Sequence, residues 1–231
     1  MTIAVIFHCF YFDLLEEFYG YFSKIGTDFS LFVTLPSDYY KIEEVDKVKN
    51  DILKHYPNAV IISCNNYGAD IYPCFCVMDY IKRQNLHFNK YIKVHTKKSL
   101  WKRNKQHGMK WRKNLCACIF NDFSNKAKME GLVASNSFVL NFLRSNRDIY
   151  LQKCYEELLA FYGYPMPPKD TRYSIGTMLM IDGDVWEDFF YNRVEESHIN
   201  LDSMSDHVTL ECFERLWEFL PLFYNKQLHL L

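Results

Sequence analysis

The sequence predicts an α/β fold with a mostly parallel central sheet covered by helices on both faces. Two observations carry this. Short apolar runs alternate with segments of helical periodicity along 231 residues, the order that strands and crossover helices produce. The segment 60–98 then gives one full unit, a strand, a polar loop with one glycine, a helix and a second strand. That second strand ends in Lys93, His95, Thr96, Lys97 and Lys98. In open α/β sheets, ligands bind outside the carboxyl ends of the strands. Asp70 on one side and this cationic end on the other suit an anionic ligand with a polar head, such as a sugar on a diphosphate.

The elements follow in order. Residues 3–8 read as a strand, and 13–25 as a helix with Leu14, Phe18 and Phe22 at helical spacing. A strand at 30–35, a helix at 42–55 and a strand at 59–63 come next. The helix 71–83, the strand 90–95, a polar loop 101–106 and a helix 109–123 follow. A short strand is expected at 131–135, helices at 137–144 and 148–162, and a rigid Pro-rich linker at 164–168. The run 174–181 mixes small and apolar residues like a strand. The helix 206–220 carries Leu210, Phe213, Leu216, Trp217 and Leu220 on one face. The tail after the linker is too short to fold alone. The expectation is therefore one domain over 1–231, with a nucleotide half at about 1–135 and an acceptor half at about 136–231.

Composition narrows the class. Hydrophobic residues make up 49% and charged residues 24%, which is globular rather than disordered. Net charge is -1, but residues 80–121 hold 12 of the 27 Lys and Arg and no Asp or Glu. A basic island on an acidic body implies a local anion site rather than a nucleic-acid surface. The 17 Tyr and 19 Phe fit either ring stacking on a ligand or a large aromatic core. Eight cysteines form no Cys-x-x-Cys pair and several lie in apolar runs. They read as reduced thiols in a cytoplasmic protein. No stretch is long and apolar enough to span a membrane, and the first residues lack the features of a signal peptide.

Four segments carry a resemblance. His8-Cys-Phe-Tyr-Phe-Asp-Leu-Leu15, Asn66-Tyr-Gly-Ala-Asp-Ile-Tyr-Pro73, Lys93-Val-His-Thr-Lys-Lys-Ser99 and Ile175-Gly-Thr-Met-Leu179 resemble the rhamnan synthesis protein F family of glycosyltransferases. In size and plan the chain is also similar to a chlorovirus capsid glycosyltransferase. The family resemblance implies a single-domain GT-A nucleotide-sugar transferase fold. It implies transfer of rhamnose or a hexose from a UDP- or dTDP-sugar to a glycan or glycoprotein acceptor. Tyr67 and Ala69 stand where the family has arginines. More of the phosphate contact then falls to Lys93, Lys97 and Lys98.

The chemistry assigns roles. Negative charge on the departing nucleoside diphosphate must be stabilised, and the position that often holds a metal-binding Asp-x-Asp reads Val94-His95-Thr96-Lys97. Cationic hydrogen bonding by lysine and histidine is the expected substitute. Manganese or magnesium held by His95 and Asp70 is the alternative. The Asp182-Gly183-Asp184 string reads as a turn rather than a metal site. His8 and Tyr11 end the first strand, where a nucleobase is expected, Tyr11 stacking on it or merely packing. Asn66 and Asp70 are expected at the sugar or ribose, with a cap on the following helix as the structural role of Asp70. An inverting reaction needs a base for the acceptor hydroxyl. Asp206, at the start of the last helix, is the candidate, with a plain helix cap as its structural role. A non-catalytic nucleotide-sugar or glycan-binding module is the rival function.

Overall fold

Strands β1 (Ile3–His8), β2 (Ser30–Pro36), β3 (Val60–Cys64) and β4 (Lys90–His95) form the parallel half of one sheet in the computed structural model. The structure describes residues 1–66, 68–98, 105–137, 139–141, 148–168, 170–194 and 207–231. Short strands β5 (Leu132–Ala134), β8 (Leu179–Asp182) and β9 (Leu228–Leu230) complete the sheet in the order β3-β2-β1-β4-β8-β5-β9. Only β8 runs against its neighbours within that sheet. Strands β6 (Val139–Asn141) and β7 (Arg172–Ser174) pair separately as an antiparallel ribbon. This is a single α/β domain, consistent with a GT-A-like fold.

Alternation along β1 fills both faces. Ile3, Val5 and Phe7 pack with Phe18 and Phe22 of α1 (Leu15–Phe22) and with Leu115 and Ile119 of α4 (Lys105–Phe120). Ala4 and Ile6 turn to the other face, with Phe75 and Met78 of α3 (Ile71–Arg83) and with Leu216 and Trp217 of the C-terminal helix His207–Phe223. The helix α2 (Ile42–His55) buries Ile52 on the first of these faces. Both faces of β1 and β4 are therefore closed, which is why all six residues of each strand are buried. Many of the aromatic side chains serve this core, with Trp186, Trp217, Tyr91 and Phe75 among the largest buried groups.

Several boundaries differ from the sequence reading, each for a local reason. The first helix, expected from residue 13, is split into a 3-10 turn Phe12–Leu14, which holds Asp13, and α1, which starts at Leu15. The helix expected to reach residue 123 stops at Phe120. Asp122 takes a left-handed backbone (φ 54°), and the short helix α5 (Phe123–Lys126) follows. Part of the helix expected at 137–144 is strand β6, drawn out by its pairing with β7; residues 138 and 142–147 lie outside the described residues. The strand expected at 174–181 is two strands, because Gly176 (φ 123°) and Thr177 (φ 50°) break it. Helix α6 (Asp148–Phe161) falls within the expected range.

The Asp182-Gly183-Asp184 string opens helix α7 (Gly183–Asp188). It sits where β4 begins, since Asp182 pairs with Lys90 in register. The Asp182 carboxylate is ion-paired with Lys90 and receives the Gly131 N–H (2.8 Å) and the Lys226 ammonium (2.9 Å). Lys226 also binds Asp184 at 2.6 Å. A side chain on Gly183 would place its Cβ 1.7 Å from the Phe88 carbonyl oxygen. The string is thus a close-packed, lysine-neutralised corner at the opposite end of β4 from His95.

Candidate active site

The strand order reverses direction between β1 and β4: β2 and β3 extend one way, and β4 begins the other half. At this switch point the carboxyl ends of two parallel strands diverge and leave a crevice. His8 and His95 close β1 and β4 and are register partners. By alternation they share the face of Ile6 and Tyr91, so both imidazoles look toward the start of α3, where Asp70 stands. A cleft of about 390 Å³ opens there, a usual size for a small-ligand site. His8, Tyr11, Asn66, Asp70, His95, Lys97 and Lys98 all line it.

Lys93 is the exception. Its side chain is 2% exposed and faces inward, ion-paired with Asp70 and donating to the Thr177 carbonyl at 3.1 Å. Its ammonium also lies 5.2 Å from the Trp217 ring. It is not an open phosphate contact, because burial requires the charge to be paired and Asp70 pairs it. It acts on the cleft through Asp70. Asp70 opens α3 but makes no side-chain capping hydrogen bond.

Burial alone would raise the Asp70 carboxyl. The His95 imidazole and the Lys93 ammonium outweigh it and hold the group far below the usual carboxylate range. His95 Nδ1 is 3.4 Å from Asp70 Oδ2. Burial keeps His95 well below its ordinary value against the pull of Asp70, with Lys97 and Lys93 adding to the effect. Burial likewise lowers His8 to about 4, with Asp70 opposing and Lys93 assisting. The His8 Nδ1 atom is 2.9 Å from the Thr34 hydroxyl, and the Asn66 amide lies beside the ring. At neutral pH the floor of the cleft is therefore two neutral imidazoles and one carboxylate. His8 Nε2, Asn66 Oδ1 and His95 Nδ1 are buried without a well-formed hydrogen bond among the described residues.

The rim is cationic. Lys98 sits 5.0 Å over the Tyr11 ring and binds Asp13 at 2.5 Å. Lys97 sits 4.2 Å over Trp111, and it has no carboxylate partner among the described residues. Arg112 holds this stretch from behind, bonding the Lys97 carbonyl (2.6 Å) and Glu17 (2.7 Å). Thr96 accepts the Tyr11 N–H at 2.7 Å and ties the two strand ends together. Ala69 lines the cleft, whereas Tyr67 lies outside the described residues. Asp206 and Asp202 also lie outside them, and helix His207–Phe223 begins one residue later.

Asp70 and His95 together would give a divalent cation one carboxylate and one imidazole, and Asp70 Oδ2 is already held by Lys93 and by the Thr177 hydroxyl. No group of three or more His, Cys, Asp or Glu suited to a metal occurs among the described residues. All eight cysteines are free thiols, and no helix among the described residues is long and apolar enough to cross a membrane.

The family model for rhamnan synthesis protein F matches residues 1–226. The chain belongs to the rhamnan synthesis protein F family. No curated protein matches it, and the likeness to a chlorovirus enzyme has no counterpart among these matches. Membership in the rhamnan synthesis protein F family points to a part in rhamnan synthesis and a glycosyltransferase-like role.

The buried imidazoles make an acid-stability prediction. Unfolded His8 takes up a proton near 6.5, whereas the folded residue resists until about 4. The unfolded state thus binds more protons between these values, and stability falls as pH drops through that window. His8 alone contributes a loss of about 3 kcal/mol by pH 4. Urea unfolding at pH 7, 5.5 and 4.5 checks this. An unchanged midpoint across the three would show that His8 is open to water.

Proposed function

We propose that the protein is an inverting glycosyltransferase that moves rhamnose or a hexose from a UDP- or dTDP-sugar to a glycan or glycoprotein acceptor. The observation that carries this reading is the division of the cleft at the switch point. Its floor, His8, Asn66, Asp70 and His95, offers neutral and anionic hydrogen-bonding groups suited to hydroxyls. Its rim, Lys97 and Lys98, offers the cations a diphosphate needs. Tyr11, at the end of β1, is the proposed base-side contact. Lys97 supplies the phosphate contact and stabilises the departing diphosphate without a metal. Asp206 is the proposed base for the acceptor hydroxyl. On this reading the protein works in the cytoplasm, where its thiols stay reduced, and nucleic acid is not a partner.

Lys97→Ala should weaken binding of UDP or dTDP by about 1.5–3 kcal/mol, the range for hydrogen bonds to charged groups. Titration calorimetry with the folded variant measures this, with and without EDTA. Unchanged affinity would remove Lys97 from the site, and binding abolished by EDTA and restored by manganese would end the metal-free reading. Transfer from a radiolabelled donor separates an enzyme from a binding module.

A further inference from the structure

The turn between β7 and β8 is held in a conformation its residues disfavour. Thr177 is β-branched, 1% exposed, and sits at φ 50°, where such a residue is a genuine outlier. Gly176 before it adopts φ 123°, and a Cβ there would lie 2.8 Å from Leu115. Strain of this kind persists only where the surroundings over-determine it, and here they do. The Ser174 N–H donates to the buried Glu218 carboxyl. Trp111 Nε1 donates to the Ile175 carbonyl at 3.2 Å, and Lys93 to the Thr177 carbonyl.

The strained conformation carries the Thr177 hydroxyl to Asp70 Oδ2, at 2.5 Å. Lys93 and His95 approach that same oxygen. Three groups thus converge on Oδ2, while Oδ1 has no partner among the described residues. We propose that Thr177 is a positioning residue: its left-handed backbone and its hydroxyl fix the Asp70 carboxylate so that Oδ1 is presented to the cleft as the acceptor for a hydroxyl of the bound sugar nucleotide. This rests on reading the cleft as the donor site. With three groups holding Oδ2, the ligand meets an acceptor that is already oriented.

Three variants test it, with dTDP-L-rhamnose, UDP-glucose, dTDP and UDP as titrants. Thr177→Val keeps the shape and loses the hydroxyl, and Thr177→Ser keeps the hydroxyl. Thr177→Gly loses the hydroxyl but relieves the backbone. Val and Gly should each raise the Kd of whichever sugar nucleotide the wild type binds by at least tenfold, and Ser should stay within threefold of wild type. The Gly variant should melt no lower than wild type, so that binding and stability part company. A purely structural Thr177 would make affinity follow melting temperature across the series, and that result overturns the proposal. So does a Val or Gly variant that binds as wild type does. A wild type that binds none of the four titrants instead removes the donor reading beneath it, an outcome distinct from both.

Discussion

Asp70→Ala is expected to destabilise the fold by about 3–5 kcal/mol, the range for removing one partner of a buried ion pair. The Lys93 side chain is 2% exposed in the wild type, beside Trp217, and without Asp70 the hydrogen bond left to it among the described residues is that to the Thr177 carbonyl. The desolvated cation then has no counter-charge, and its desolvation penalty is not offset. A second substitution separates this from loss of packing. Asp70→Ala combined with Lys93→Met removes both charges and keeps an apolar stem of similar length. It should regain most of the lost stability, since replacing a buried pair by apolar groups is often close to neutral. Urea midpoints of the two variants against wild type decide the matter. If the double variant is no more stable than Asp70→Ala, the Lys93 charge is not what destabilises the single variant. The pH dependence points the same way. The Asp70 carboxyl is held far below its ordinary value, so its contribution is complete above about pH 4 and is lost only in strong acid. This window lies below the one set by His8.

The parallel half of the fold and the place of the cleft were legible in the chain because they rest on local pattern. Apolar runs ending in His8 and in His95-Thr96-Lys97-Lys98 mark strands that finish in polar groups. The switch-point rule then brings those ends together without knowledge of packing. Lys93 stands as an open cation in the sequence because a sequence displays a charge but not its counter-charge. Asp70 lies 23 positions away and meets it only once α3 has docked on the sheet. Thr177 had a signal, the Gly176-Thr177 pair inside an apolar run, but its significance lies in a backbone angle that composition does not reveal. Strand β9 is three residues with a histidine at its centre, too short for periodicity to register, and its place beside β5 comes from tertiary pairing. Strand β6 failed for the same reason, since pairing with β7 overrode a helical pattern.

Asp206→Asn is expected to lower transfer by about 10²–10⁴-fold, the usual loss when a general base is removed. Asp206 immediately precedes the helix His207–Phe223. That helix packs on the same face of the sheet as α3, and its Trp217 lies under the Lys93 ammonium that holds Asp70. Its axis therefore runs beside the proposed donor site. The positive end of a helix dipole favours an ionised carboxylate at its start, the form a base needs before it accepts a proton from the acceptor hydroxyl. Asparagine keeps the size and the capping ability of aspartate but not its basicity. Donor affinity and melting temperature should accordingly stay close to wild type while turnover falls. Initial rates with labelled donor, beside calorimetric binding and a thermal melt, separate the possible roles. A large drop in melting temperature would mark Asp206 as a structural cap. Full activity in a stable Asp206→Asn protein would pass the proton to another group, with His207 and Asp202 the next to be substituted.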